Sequence, residues 1–210
     1  MKIIEVKTLA FSEIKVITFG RFLDDRGYFS EPFRRSDFKQ NLGSHGMKDV
    51  EFVQANESYS KKGAVRGMHF QWNPYMGKLV RVVYGHAVDM ALDIRRGSPN
   101  FGKMIGYEMV ASLEKDFGEW IWLPPGFAHG MFFLEDSMVE YFCSGEYSSG
   151  YEAGISPLAP DIDWSACDPA IKKLFDDVIL KTPFITDKDK NGFTLKSWLS
   201  NEKSNNFLYQ

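Results

Sequence analysis

KLVRVVYGHAVDMALDIRRGSP, Lys78 to Pro99, decides the fold class. Two runs rich in β-branched residues flank a tight turn at Gly85-His86, which reads as a hairpin. In the second run Asp89 and Asp93 alternate with Val88, Met90, Leu92 and Ile94. A period of two is the signature of a strand, and Gly97-Ser98-Pro99 ends the unit as a loop. His86, at the turn, reads as exposed and inert.

The same pattern extends outward in both directions. Residues 2–19 alternate loosely and read as one or two strands. Asp24-Asp25 and Gly27 turn a hairpin within FLDDRGYFSEPFRR, Phe22 to Arg35. The polar stretch from Ser36 to Val50 suits a short helix capped by Ser36, followed by a loop. FVQANES (Phe52–Ser58) and VRGMHFQ (Val65–Gln71) resume as strands, and Asn73-Pro74 ends the second. Strands follow near 103–110 and 119–123. PPGFAHG (Pro124–Gly130) reads as a compact loop carrying His129, and Met131–Leu134 with Met138–Cys143 as another hairpin around Glu135-Asp136. Asp161-Ile162-Asp163-Trp164 closes the β region. Beyond it Asp168-Pro169 opens an amphipathic helix with Ile171, Leu174, Phe175, Val178 and Ile179 on one side. A charged turn, Asp187–Lys190, a short segment near Leu195–Leu199 and a polar tail complete the chain. Many short strands without alternating long helices mean an all-β antiparallel sandwich or barrel, a jelly roll over residues 1–164. Residues 165–210 form a short C-terminal helical appendage packed on it.

The bulk composition restricts function. A chain of 210 residues with formal net charge −3 lacks the strongly basic face of a nucleic-acid scaffold, while a few local Arg and Lys residues still suffice for a diphosphate. Cys143 and Cys167 have no paired spacing, so a disulfide framework is not expected and a reducing cytoplasm fits. The N-terminal residues are not a signal peptide, because Glu5 and Lys7 interrupt the apolar run. No apolar run reaches the length of a membrane span. No GxGxxG or P-loop follows any strand.

Within VRGMHFQ, strand alternation puts Val65, Gly67 and His69 on one face and Arg66, Met68 and Phe70 on the other. A lone inward His is ordinarily a core residue bonded to a backbone carbonyl. Here a Gly beside it leaves room for a ligand. Gln54 and Asn56 share a strand face and fit either satisfied edge polars or an amide pair reading a base.

Taken in order, DDRGYFSE, FVQANES, VRGMHFQ, KLVRVVYGHAVDMALDIRRGSPNFGK, WLPPGFAHG and DIDW resemble the dTDP-4-dehydrorhamnose 3,5-epimerase family over roughly residues 5–164, with a weaker echo in ITDKDK. The resemblance implies a cupin-type jelly roll that acts on a nucleotide-diphosphosugar without metal or other cofactor. It also implies a homodimer with strand exchange at the N-terminal region. A 4-ketone acidifies the C3 and C5 protons, so inversion needs a base on one face of the sugar, an acid on the other and a cation near the enolate oxygen. By resemblance His69 is the base and Asp163, with Asp161 as runner-up, the carboxylate that orients it. Lys78 matches the cation near the C4 oxygen. Arg26, Phe29 and Glu31 match residues donated across the dimer interface, with Arg26 and Arg66 at diphosphate-contacting positions. Gln54 and Asn56 match a pair near the nucleotide.

The proton donor depends on strand register. Counting back from Tyr147 by the family's common spacing lands on Phe142, which has no proton to give. A deletion in the Glu135–Ser137 turn with an insertion at Gly145 lands on Tyr141 instead, and a one-residue slip flips every side chain. Tyr141 is the expected donor, sharing its face with Val139 and Cys143, and Tyr147 is next in line. Metal-binding cupins pair two His in an HxH segment with a later third, but position 67 is Gly here. His69 and His129 alone make a poor metal site, so His129 is expected to hydrogen-bond within the site or merely to rigidify its loop. The competing functions are a 3,4-ketoisomerase on the same substrate class and a sugar-nucleotide-binding jelly roll with impaired chemistry.

Overall fold

The computed structural model of the chain describes residues 1–181 and 183–209. Its strands are β1 (Ile3–Thr8), β2 (Lys15–Gly20), β3 (Phe22–Asp24), β4 (Gly27–Phe29), β5 (Gln54–Ser60), β6 (Val65–Gln71), β7 (Lys78–Tyr84), β8 (His86–Asp93), β9 (Met104–Val110), β10 (Phe117–Leu123), β11 (Phe127–Phe133), β12 (Ser137–Cys143) and β13 (Glu152–Gly154). The helices are α1 (Arg35–Leu42), α2 (Pro169–Leu180), α3 (Asp187–Lys190) and α4 (Leu195–Leu199). A six-stranded sheet runs β1-β2-β10-β7-β12-β5 and a five-stranded sheet β13-β6-β11-β8-β9, with every strand pair antiparallel. The β3–β4 hairpin stands apart from both.

Alternation along each strand sorts the residues into three apolar layers. Val16, Val80, Ile121, Leu123 and Val139 of the six-stranded sheet meet Ala87, Ala91, Ile105, Met131 and Phe133 of the five-stranded sheet to form the core between them. The outer face of the five-stranded sheet is also covered. Val88, Met90 and Leu92 pack there with Phe175, Leu195, Trp198 and Phe207 from the C-terminal segment. Strand β8 is therefore buried on both sides. On the opposite flank Phe19, Trp120 and Trp122 pack against Phe38, Leu42 and Met47 from α1 and the turn after it. The described C-terminal residues thus share a core with the sandwich through Phe175, Leu195, Trp198 and Phe207.

The architecture is the expected antiparallel jelly roll, but two expected hairpins are not hairpins. Strands β7 and β8, read as partners across Gly85, lie in opposite sheets, and so do β11 and β12 across Glu135-Asp136. The turn signals were correct, but the partners are not local. Each turn carries the chain from one sheet to the other, and the two crossings brace one another. The His86 N–H donates to Ser137 Oγ (3.0 Å) and the Leu134 N–H to the His86 carbonyl (2.9 Å). Gly85 has φ +84°, and a Cβ there would lie 2.2 Å from the Asp136 carbonyl oxygen. His86 sits inside β8 and its Nε2 pairs with Glu108 at 2.7 Å.

Smaller differences have local causes. Helix α1 begins two residues earlier than a Ser36 cap would start it, with Arg34 at the N-cap and no side-chain cap. PPGFAHG is only partly a loop, because Phe127 to Gly130 already belong to β11. The 187–190 stretch is one helical turn, N-capped by Thr186, whose Oγ accepts from the Asp189 N–H at 3.2 Å. Helix α2 starts as expected, with Asp168 as N-cap.

Candidate active site

Strand β6 does not alternate as its sequence suggests. Against β11 the register passes from Met131↔Arg66 to His129↔His69, so one extra residue is inserted in β6. This bulge flips the parity. Val65, Met68 and Phe70 all join the layer under the C-terminal helices, while His69 turns to the other face. Gly67 makes the bulge possible, having φ +116° and no space for a Cβ, which would lie 2.4 Å from the Gly130 Cα.

His69 opens onto a cavity of about 430 Å³ at the end of the inter-sheet core. The opposite wall comes from the six-stranded sheet. In the register β5–β12–β7, Asn56, Tyr141 and Val80 form one row and Gln54, Cys143 and Lys78 the next. Tyr141 and Cys143 therefore face the cavity, with Val139 beneath them in the core. Phe142 points to the outer face, among Phe33, Phe52 and Trp120. His69 and Tyr141 thus belong to facing sheets, and Lys78, one row from Tyr141 on the same wall, also lines the cavity.

The partner of His69 is Asp189, and the Asp163 expectation is corrected. His69 Nε2 lies 2.7 Å from Asp189 Oδ1. The Gly67 N–H donates to Asp189 Oδ2 at 3.4 Å. Asp189 is only 6% exposed. Burial alone would raise its carboxyl, but His69, the Gly67 N–H and Thr186 outweigh burial and hold it below the usual carboxylate range. Asp163 instead lies beside β9, where its Oδ1 accepts from the Ser165 N–H at 2.8 Å. Asp161, the runner-up, accepts from the Leu195 and Lys196 N–H groups at 3.1 and 2.9 Å and so caps α4. Both are structural turn carboxylates. The sequence signal for Asp189 was Thr186 three residues ahead of an acid in ITDKDK, a capping pattern that fixes a buried turn.

Beneath His69, His129 Nε2 bonds Asp89 Oδ2 at 2.8 Å, with both side chains inside the protein. Burial pushes Asp89 up and His129 down, and the positive charges of Lys78 and His69 push His129 further in the same direction. Burial also lowers Lys78, against the opposing pull of Cys143, Asp89 and Glu152. Burial and Cys143 raise the Tyr141 phenol, while Asn56 and the positive charge of Arg66 act against them. Among the described residues no group of three or more His, Cys, Asp or Glu is arranged to hold a metal ion.

The remaining expected site residues fall into two sets. Gln54, Asn56 and Tyr147 line the cavity, with the Tyr147 hydroxyl donating to Glu152 at its rim (3.2 Å). Arg66 lies on β6 outside that lining, its Nε donating to Ser60 Oγ (2.8 Å) and its Nη2 to the Tyr59 carbonyl (3.2 Å). Arg26 and Phe29 are not brought to this cavity. They stand on the exposed β3–β4 hairpin, where Arg26 pairs with Asp24 at 2.6 Å. Glu31 accepts from the N-terminal ammonium and from Arg34, each at 2.6 Å.

A model of the family described as dTDP-4-dehydrorhamnose 3,5-epimerase matches residues 8–197. The dTDP-4-dehydrorhamnose 3,5-epimerase of Shigella flexneri is 39% identical over 175 residues, covering 81% of this chain and 84% of that protein. The crystal structure of dTDP-6-deoxy-D-glucose-3,5-epimerase from Legionella pneumophila Philadelphia 1, in complex with dTDP-4-keto-L-rhamnose, superposes with a TM-score of 0.79. It is 30% identical and covers 98% of each chain. ChmJ, a 3'-monoepimerase from Streptomyces bikiniensis solved with dTDP-quinovose, has a TM-score of 0.71 at 27% identity, over 95% of this chain and 90% of that one. With its family model matched across both sheets and α3, the chain belongs to the dTDP-4-dehydrorhamnose 3,5-epimerase family.

Proposed function

We propose that the protein epimerises a dTDP-linked 4-keto-6-deoxyhexose at C3 and C5. The observation that carries this reading is the cavity's pair of facing walls, with a histidine held by a buried carboxylate on one and a phenol on the other. The sugar lies between them with its C4 oxygen toward Lys78. His69 removes the C3 proton through the ring nitrogen not bonded to Asp189, and Asp189 stabilises the imidazolium so formed. The electrons of the broken C–H bond move into the enolate, whose oxygen Lys78 stabilises as a point charge. Tyr141 delivers a proton to the opposite face of C3, completing inversion; His69 then releases its proton to solvent and the Tyr141 phenolate takes one up, and with both groups reset the same sequence repeats at C5. Asp89, paired with His129, is a nearby negative charge that favours the charged form of Lys78.

The β3–β4 hairpin exposes Phe22, Leu23 and Phe29, at 57%, 51% and 69% of their surface, beside Arg26. An apolar arm of this kind suits a second copy of the chain. We infer a homodimer with exchange at the N-terminal region, in which Arg26, Phe29 and Glu31 reach the diphosphate and nucleotide at the other copy's cavity, while Gln54, Asn56, Arg66 and Tyr147 complete that end. Incubation with dTDP-4-keto-6-deoxyglucose in D₂O tests the function. Deuterium at both C3 and C5 of an inverted product is expected. Deuterium at C3 alone would restrict the reaction to one centre, a shifted carbonyl would identify a ketoisomerase, and tight dTDP binding without exchange would leave only a binding module.

A further inference from the structure

The amides of Gln54 and Asn56 form a chain whose polarity is set by one group that cannot flip. The backbone N–H of Tyr147 donates to Gln54 Oε1 at 2.8 Å. A backbone N–H is only a donor, so the oxygen of Gln54 must face it and its NH₂ must face away. That NH₂ donates to Asn56 Oδ1 at 3.0 Å. The orientation of Asn56 follows in turn, with its own NH₂ directed at β12. There one N–H meets Cys143 Sγ at 3.6 Å. Tyr141 is the residue directly opposite Asn56 in the strand register, on the same cavity face, and Asn56 acts on its phenol in the direction that favours the phenolate.

We propose that Asn56, aligned by Gln54, is a positioning residue for Tyr141. Its fixed donor stabilises the phenolate left when Tyr141 gives its proton to the sugar. This rests on the role of Tyr141 proposed above and assigns the amide pair to the acid as well as to the nucleotide. The chemistry favours such a device. A phenol is a weak acid, and burial on this wall makes it weaker. An amide turned the other way would present an acceptor and hold the proton on the oxygen. The charged and titratable groups around the phenol are Cys143 on its own strand, Lys78 on β7, Arg66 and His69 on β6, and Glu57, Tyr147 and Glu152 elsewhere on the cavity lining. None of them is a fixed neutral donor on the β5 side.

Ultraviolet difference titration tests this without substrate, comparing Asn56→Leu, Asn56→Asp and Gln54→Leu with the same proteins carrying Tyr141→Phe. Losing a donor to the phenolate should raise the Tyr141 ionisation by about one pH unit. Asn56→Asp, which replaces the donor with a charged acceptor, should raise it further, and Gln54→Leu should raise it less. In turnover at saturating substrate, kcat for inversion should fall roughly ten- to a hundredfold with the alkaline limb moved upward, over and above any loss of dTDP affinity. An unmoved Tyr141 titration in Asn56→Leu and Asn56→Asp, with the loss confined to dTDP affinity, would overturn the proposal and return the pair to nucleotide binding. If the unaltered protein fails to invert the sugar, the proposed function fails, while the titration still decides the role of Asn56.

Discussion

Replacing Asp189 by Asn removes the negative charge 2.7 Å from His69 Nε2 and leaves the shape of the turn intact. The contact is a charge-assisted hydrogen bond to a carboxylate only 6% exposed, so little solvent screens it. Such bonds contribute about 1.5–3 kcal/mol, or roughly 10- to 150-fold in rate when lost from the transition state. The amide can also donate to Nε2 and so select the imidazole tautomer whose second nitrogen carries a proton and cannot act as base. Turnover of Asp189→Asn should therefore fall roughly a hundredfold or more, with dTDP affinity unchanged. Asp163→Asn, at the carboxylate that the sequence alone favours, should leave turnover unchanged, since its side chain accepts from the Ser165 N–H beside β9 and does not line the cavity. A stability measurement adds a sign. The Asp189 carboxyl is held below its usual range, so its contribution is present above the ordinary carboxylate pKa and is lost as pH falls through the folded-state value. The urea midpoints of the parent and Asp189→Asn should therefore converge as the solution is acidified. Normal turnover in Asp189→Asn, or a large loss in Asp163→Asn, would refute the assignment of the dyad.

Two further predictions concern the base and the C-terminal segment. His69→Ala should lower turnover by roughly 10²–10⁴-fold while dTDP binding, measured calorimetrically, persists. Trp198 is fully buried and packs on Phe70, Trp72, Phe193 and Phe207, so Trp198→Ala should cost about 3–5 kcal/mol in urea denaturation, as for other large core truncations.

The legible parts of the sequence were those carried by local periodicity. Alternation in Lys78–Asp93 and Met138–Cys143 placed the strands, while the choice of Tyr141 over Phe142 came from the family resemblance and the need for a proton donor; the register puts Tyr141 on the cavity face and Phe142 in the outer layer. Strand partners were not legible, because a turn such as Gly85 reverses the chain equally well within a sheet or between two. The bulge at Gly67 was hidden for a similar reason, since it exists only in the register of β6 against β11. Asp189 was the hardest to see. It lies 120 residues from His69 in the chain, in a run of charges that reads as a solvated turn. Only the Thr186 cap, and the docking of α3 onto β6 beside the His, bury it. Asp163 and Asp161 were misleading because carboxylates that cap turns resemble carboxylates that serve a catalytic base when only their spacing is known.

The most direct test of the facing walls is Tyr141→Phe with dTDP-4-keto-6-deoxyglucose in D₂O, following hydrogen at C3 by NMR. With His69 and Asp189 intact, the C3 proton should still be abstracted and exchanged. Without an acid on the opposite wall, formation of the inverted product should fall by roughly 10²-fold or more. Exchange without inversion is the predicted result. Inversion at the parent rate would contradict it and place the proton donor on another residue, with Tyr147 the next to replace.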